Sequence, residues 1–172
     1  TASHNPAQYN GIKLCRAGAR PISMETGLAE LRERAGQYLA QGIPAAQETG
    51  TVTDRPMLTA YADFLRGLVD LSDIRPLRVA VDAGNGMAGL TAPAVLGDEA
   101  GLSPLPITLI PLYFELDGTF PNHEANPLEP ENLVDLQAAV IRSQADIGLA
   151  FDGDADRCFV VDETGAPVNP SA

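Results

Sequence analysis

The chain has 172 residues, enough for one domain or for a domain with part of a second. Hydrophobic residues make up 45% and charged residues 20%, which supplies a core and excludes a disordered chain. Lys plus Arg total 11 and Asp plus Glu total 23, for a formal net charge of −12. That balance excludes nucleic acid as a partner, since neutralising phosphates takes clustered basic side chains. Cys15 and Cys158 lie far apart, and neither sits in a C-x-x-C or Cys/His cluster. A zinc site and a disulfide scaffold are therefore not expected, and a reducing compartment is. No apolar run reaches the roughly 18 residues of a membrane span and no signal peptide is present, so the cytoplasm is the expected location and no membrane partner is expected. The sequence opens at Thr1 inside a motif, and both ends are expected to be cuts.

In chain order, residues 11–15 suit a short strand. Leu28, Leu31, Ala35 and Leu39 recur at helical spacing and predict a helix over 25–40 that ends near Gly42 and Pro44. Residues 41–54 are polar, punctuated by Gly and Pro, and suit a linker. Met57, Tyr61, Phe64, Leu65 and Leu68 predict a second helix, with Pro56 suited to its first turn. Leu77 to Val81 reads as a strand, Gly84 to Gly89 as a glycine-rich turn, and 88–100 as a helix that Pro93 must enter early or interrupt. A strand is expected over Leu105 to Phe114 and a long polar loop over 115–130. Pro130 and Glu131 then open a helix with Leu133, Leu136 and Val140 facing inward, followed by strands at 147–151 and 158–161. The alternation predicts an α/β fold with a mixed, mainly parallel sheet and flanking helices. A tight acidic turn should make the last two strands antiparallel at the sheet edge, and a domain boundary is expected near residue 54.

Asp152-Gly-Asp-Ala-Asp156-Arg157 places three carboxylates two residues apart at the end of an apolar strand. Such like charges are poorly tolerated without a cation or several donors, and hard oxygens suit Mg²⁺ or Ca²⁺. The end of a strand is also where α/β sheets place ligands. The bland reading is a solvated surface turn. Asp152, Asp154, Asp156 and Glu163 also match ligand positions of an EF-hand calcium loop, but Arg157 stands where that loop needs glycine, and the flanks read as strands. A strand-terminal D-x-D further suits a haloacid-dehalogenase-type phosphatase that is phosphorylated on its first aspartate, although that family usually continues with Thr or Val.

Thr1-Ala-Ser-His-Asn-Pro6 could by itself be any surface turn. Ser3 and His4 are adjacent, which is poor geometry for a hydrolase pair. Together with Tyr9-Asn-Gly-Ile-Lys13 and the acidic turn far downstream, however, this stretch resembles the α-D-phosphohexomutases, most closely the phosphomannomutase/phosphoglucomutase branch. Asp82-Ala-Gly-Asn-Gly86, Phe120-Pro-Asn-His123 and Pro130-Glu-Asn-Leu133 resemble that branch too.

The resemblance implies a Mg²⁺-dependent isomerase that moves a phosphoryl group between positions 6 and 1 of mannose or glucose phosphate. It would act through a phosphoserine, with glucose 1,6-bisphosphate or mannose 1,6-bisphosphate as intermediate and activator. Ser3 would be the phosphoserine; Asp152, Asp154 and Asp156, with Ser3, would hold the metal. Arg157 would bind phosphate, a role that its planar donors suit. Lys13 would serve as general acid/base with a lowered pKa, or bind phosphate. His4 would shape the loop or contact phosphate. Residues 1–53 would be the end of domain I with the serine loop and 54–172 domain II with the metal loop; domains III and IV would be absent, and the fragment alone inactive. Phosphoglucosamine mutase, the aspartyl phosphatase and a non-catalytic calcium-binding module stand as alternatives. Gly84, Gly86 and Gly89 imitate a dinucleotide fingerprint, but its acidic residue is missing at the right distance, since Glu115 comes 31 residues after Gly84. Oligomeric state is not readable.

Overall fold

A computed structural model describes residues 3, 5–6, 8–46, 48–71 and 73–169. The chain divides into two compact units, one of Gly11–Arg55 and one of Thr1–Asn10 with Pro56–Ala172.

In the smaller unit, β1 (Cys15–Arg16) pairs antiparallel with β2 (Arg20–Pro21) across a 3₁₀ turn, Ala17–Ala19. The strand expected over 11–15 is thus confined to its last residue and the next one, and its partner escaped the pattern. A strand of two residues has no alternation to read. Ser23 and Thr26 then form a capping box: the Ser23 hydroxyl accepts from Thr26 N–H at 3.3 Å, and the Thr26 hydroxyl accepts from Ser23 N–H at 2.8 Å. A π-type turn, Met24–Leu28, leads into α1 (Ala29–Gln41), which stops at Gly42 with φ 87°. The described residues from 42 to 57 are neither helix nor strand.

The larger unit is built on a four-stranded sheet. Its strands are β3 (Leu77–Asp82), β4 (Ile107–Leu112), β5 (Ile147–Phe151) and β6 (Cys158–Asp162), in the order β4-β3-β5-β6. β3 runs parallel to both β4 and β5, while β5 and β6 form an antiparallel hairpin with β6 at the edge. β4 stops one residue short of Tyr113, whose φ of 56° leaves the extended region.

Three helices cover the sheet. α3 (Ala88–Leu96) contributes Ala92 to the side of the sheet that carries Val79 and Val81, and takes Pro93 in its second turn. α2 (Leu58–Arg66) packs beside α3 through Ala62, Ala94 and Ala100, and begins after Pro56 rather than on it. Arg66, at the end of α2, donates to the carbonyls of Val95 at 2.7 Å and Gly97, acceptors left open where α3 ends, and to that of Ser103 at 2.5 Å. α4 (Val134–Ser143), entered through a 3₁₀ turn at Pro130–Leu133, packs Leu136 and Val140 on Ala80, Ala150 and Val161.

Gly148 lets α4 sit this close to the sheet. A Cβ there would lie 2.7 Å from Val140 Cγ2 and 3.1 Å from both Leu136 Cγ and Val161 Cβ. Overpacking of this kind typically costs about 1–3 kcal/mol, so Gly148→Ala should lower the stability of the larger unit by about 2 kcal/mol in urea denaturation. An unchanged midpoint would show that α4 can move outward without cost.

Candidate active site

β3 and β5 are neighbours in register, with Asp82 opposite Ala150, so the turns that follow them emerge side by side at the carboxyl edge of the sheet. The turn after β5 holds the aspartate trio. One carboxylate oxygen from each of Asp152, Asp154 and Asp156 lies within 4.8 Å of the others. Asp152 is fully buried, Asp154 half-buried with its Oδ1 shut off from solvent, and Asp156 exposed. Ala155, at φ 59°, folds the turn back so that its N–H reaches the Asp152 carbonyl at 2.9 Å.

Both oxygens of the Asp152 side chain are engaged. Oδ1 accepts the backbone N–H groups of Asp156 and Arg157, each at 3.1 Å. Oδ2 accepts Arg157 Nη2 at 2.8 Å and Nε at 3.1 Å, and also the Ser3 hydroxyl at 3.0 Å. The serine turn is held by its backbone as well: Gly153 N–H donates to the Ser3 carbonyl at 3.0 Å, and a Cβ on residue 153 would collide with that carbonyl.

The turn after β3 abuts this arrangement. Met87 N–H donates to the Gly153 carbonyl at 2.9 Å, and a Cβ on Gly86 would lie 2.7 Å from the same oxygen. Gly89, likewise, faces the Phe114 backbone with no room for a side chain. The glycines that imitate a dinucleotide fingerprint therefore serve close backbone approach within the protein.

At the base of that turn Asp82, 1% exposed, accepts Gly84 N–H on Oδ1 at 2.9 Å and meets His123 Nε2 on Oδ2 at 3.0 Å. The other ring nitrogen of His123 lies 2.8 Å from the Glu124 carbonyl. Both partners are acceptors, so the ring satisfies both only as an imidazolium. The hydrogen bond to Asp82 raises the His123 pKa above its ordinary value, against the opposing effect of burial. The ring packs edge-on against Tyr113, whose phenol donates to Asp135 at 2.6 Å and is pushed up to about 12 by that bond.

Ser3, the three aspartates and Arg157 thus come together across 149 positions of sequence. Arg157 pairs with Asp152 in this structure, and its Nε is a longer 3.8 Å from Asp156. Lys13 is exposed and belongs to the smaller unit, while His4 lies outside the described residues. Sequence reasoning noted Asp82 and His123 without pairing them, because the two carboxyl and imidazole partners are 41 residues apart.

Residues 59–165 match the α/β/α domain II of the phosphoglucomutase/phosphomannomutase family, and residues 1–41 match its α/β/α domain I. The chain belongs to this family. It is 45% identical over 169 residues to a phosphomannomutase of Escherichia coli, and 47% identical over 167 residues to a protein named for phosphohexose mutases in Xanthomonas campestris. Each alignment covers 96% of this chain, but only 36% and 35% of those relatives, so the chain spans about a third of their length. A crystal structure of a phosphoglucomutase/phosphomannomutase family protein from Burkholderia thailandensis matches with a TM-score of 0.75 at 35% identity, covering 99% of this chain and 34% of that one. No helix among the described residues is long and apolar enough to cross a membrane.

The raised pKa of His123 makes stability depend on pH. Its contribution is fully present below the unfolded value of 6.5 and is lost as pH rises through the higher value in the fold. The urea midpoint should therefore fall as pH rises above about 6.5, and His123→Asn should flatten that fall. A variant that tracks the parent across this range would contradict the assignment.

Proposed function

We propose that this chain carries the phosphoryl-transfer centre of a hexose phosphate mutase, acting between mannose or glucose 6-phosphate and the 1-phosphate. The hydrogen bond from Ser3 to Asp152 carries the reading, because it sets the hydroxyl that would hold the phosphoryl group at the edge of the aspartate trio. In this reading residues 1–53 are the end of domain I and 54–172 most of domain II.

The donor set fits a hard divalent cation: three carboxylates with oxygens within 4.8 Å, one of those residues holding an oxygen away from solvent. Asp152, Asp154 and Asp156, with an oxygen of phosphorylated Ser3, would hold Mg²⁺. The bound ion supplies neutralisation of charge on the phosphoryl oxygens. Ser3 and Arg157 share one acceptor atom, Oδ2 of Asp152, so a phosphoryl group on Ser3 would arise within reach of the guanidinium. Transfer breaks the bond from Ser3 Oγ to phosphorus and forms one from phosphorus to a sugar hydroxyl. The hydroxyl proton passes to a base, for which Lys13 is the candidate, and ends on Ser3 Oγ. Reorientation of the sugar bisphosphate and the reverse transfer of its other phosphate complete the interconversion. His4 would shape the serine loop.

Two of the other readings, the phosphatase and the EF-hand, fit less well. An aspartyl-phosphate phosphatase needs its first aspartate open to the substrate, whereas Asp152 is fully buried and the exposed member of the trio is Asp156. An EF-hand needs Glu163 beside the trio, yet the whole of β6 intervenes, which at about 3.3 Å per residue spans roughly 16 Å.

Incubation with glucose 1,6-bisphosphate labelled in phosphate, in the presence of Mg²⁺, should place acid-stable label on Ser3. Ser3→Ala should abolish the label, and Asp154→Asn should slow labelling by about 100-fold. Hydroxylamine-labile label on Asp152 would overturn the proposal. The 172 residues alone should show negligible sustained turnover, since gripping the phosphate that stays behind supplies much of the effect in such reactions.

A further inference from the structure

A continuous chain of short contacts runs from His123 to the aspartate turn. His123 Nε2 meets Asp82 Oδ2 at 3.0 Å, and Asp82 Oδ1 accepts Gly84 N–H at 2.9 Å. Gly84 and Asn85 then take φ of 51° and 59°, a reversal that carries Gly86 and Met87 onto Gly153. Gly153 lies between Asp152 and Asp154 and holds the Ser3 carbonyl. Every link is backbone or the Asp82–His123 pair, whose side chains are 1% and 15% exposed, so little side-chain slack can absorb a displacement. A Cβ on Gly84 would lie 3.3 Å from Ala125 Cβ and 3.5 Å from His123 Cε1, and φ of 51° there favours glycine in any case.

We infer that the Asp82–His123 pair is a positioning pair for the aspartate turn, acting through the Gly84–Met87 reversal on Gly153 and so on the carboxylates beside it. The inference rests on the proposed cation site for its functional consequence. Neither residue touches the trio, and neither takes part in transfer. The pair instead fixes how far the β3 turn reaches toward the β5 turn. Groups facing the imidazole are the Asp82 carboxylate, the Glu124 carbonyl, the Tyr113 ring and, at longer range, the Asp135 carboxylate. All of them favour a cationic ring or are indifferent to it. The pair should therefore loosen as His123 loses its proton.

Two measurements on the 172-residue chain test this, applied to the parent, His123→Leu and His123→Asn. The first is hydrogen exchange of the amides of 152–157, which needs no bound ion. His123→Leu should raise their exchange by about 10-fold while the amides of β3 and β5 keep their protection. His123→Asn, which retains one donor, should fall between. The second is Mn²⁺ affinity, expected to drop by about 3-fold in His123→Leu, less than loss of a partner bonded directly to a metal ligand costs. In the parent, that affinity should decline as pH rises through the His123 titration, a range in which the carboxylate ligands are already ionised, and His123→Asn should lack the decline. Unchanged exchange in 152–157 in both variants would overturn the inference. Loss of protection throughout the sheet in both would also overturn it, since the pair would then be a general prop of the fold. A parent chain that binds no Mn²⁺ would sink the cation site while the exchange result still judged the pair.

Discussion

Asp152 is the point at which the sheet, the serine turn and the arginine meet. A carboxylate removed from water costs several kcal/mol unless its lone pairs are satisfied, and here two backbone N–H groups, a guanidinium and a hydroxyl satisfy them. The two backbone donors come from the same turn, so Asp152 shapes its own loop. The hydroxyl comes from the other end of the sequence and is therefore selected by the fold. One guanidinium against three carboxylates leaves a deficit of two charges, which is the charge of the cation proposed for the site.

The edge of the sheet converts that chemistry into position. Parallel β3 and β5 end in register and release their turns at the same height, and glycine at 86 and 153 lets the two backbones touch. A side chain at either place would push one turn away from the other or displace Ser3. Sterics and not hydrogen bonds alone thus set the distance between the hydroxyl and the trio. Gly148 does the equivalent work on the other side of the strand, by letting α4 lie directly on β5.

Much of this was legible in the sequence, for identifiable reasons. The four sheet strands were marked by apolar runs bounded by Gly, Pro and Asp, and the acidic turn by carboxylates too dense to be routine. The serine turn was legible only in combination, because Ser, Asn and Pro make turns everywhere. Long-range pairing was hidden. Nothing in a one-dimensional pattern ties Asp82 to a histidine 41 residues later, or Gly153 to the Ser3 carbonyl. The β1–β2 pair was hidden for the opposite reason, being too short to carry a period.

The glycine run shows why local pattern needs a structural partner before it means anything. Gly-x-Gly-x-x-Gly after a strand is the pattern of a phosphate-binding turn, where the missing side chains let a ligand approach the backbone. Here the same absence admits Gly153 at one glycine and Phe114 at another, so the space a ligand would use is already filled by protein. The physical requirement, close approach to backbone, is shared by both cases, and only the identity of what approaches differs. In this chain what approaches is the loop carrying Asp152 and Asp154, so glycines that bind no ligand of their own still help to determine where the carboxylates stand.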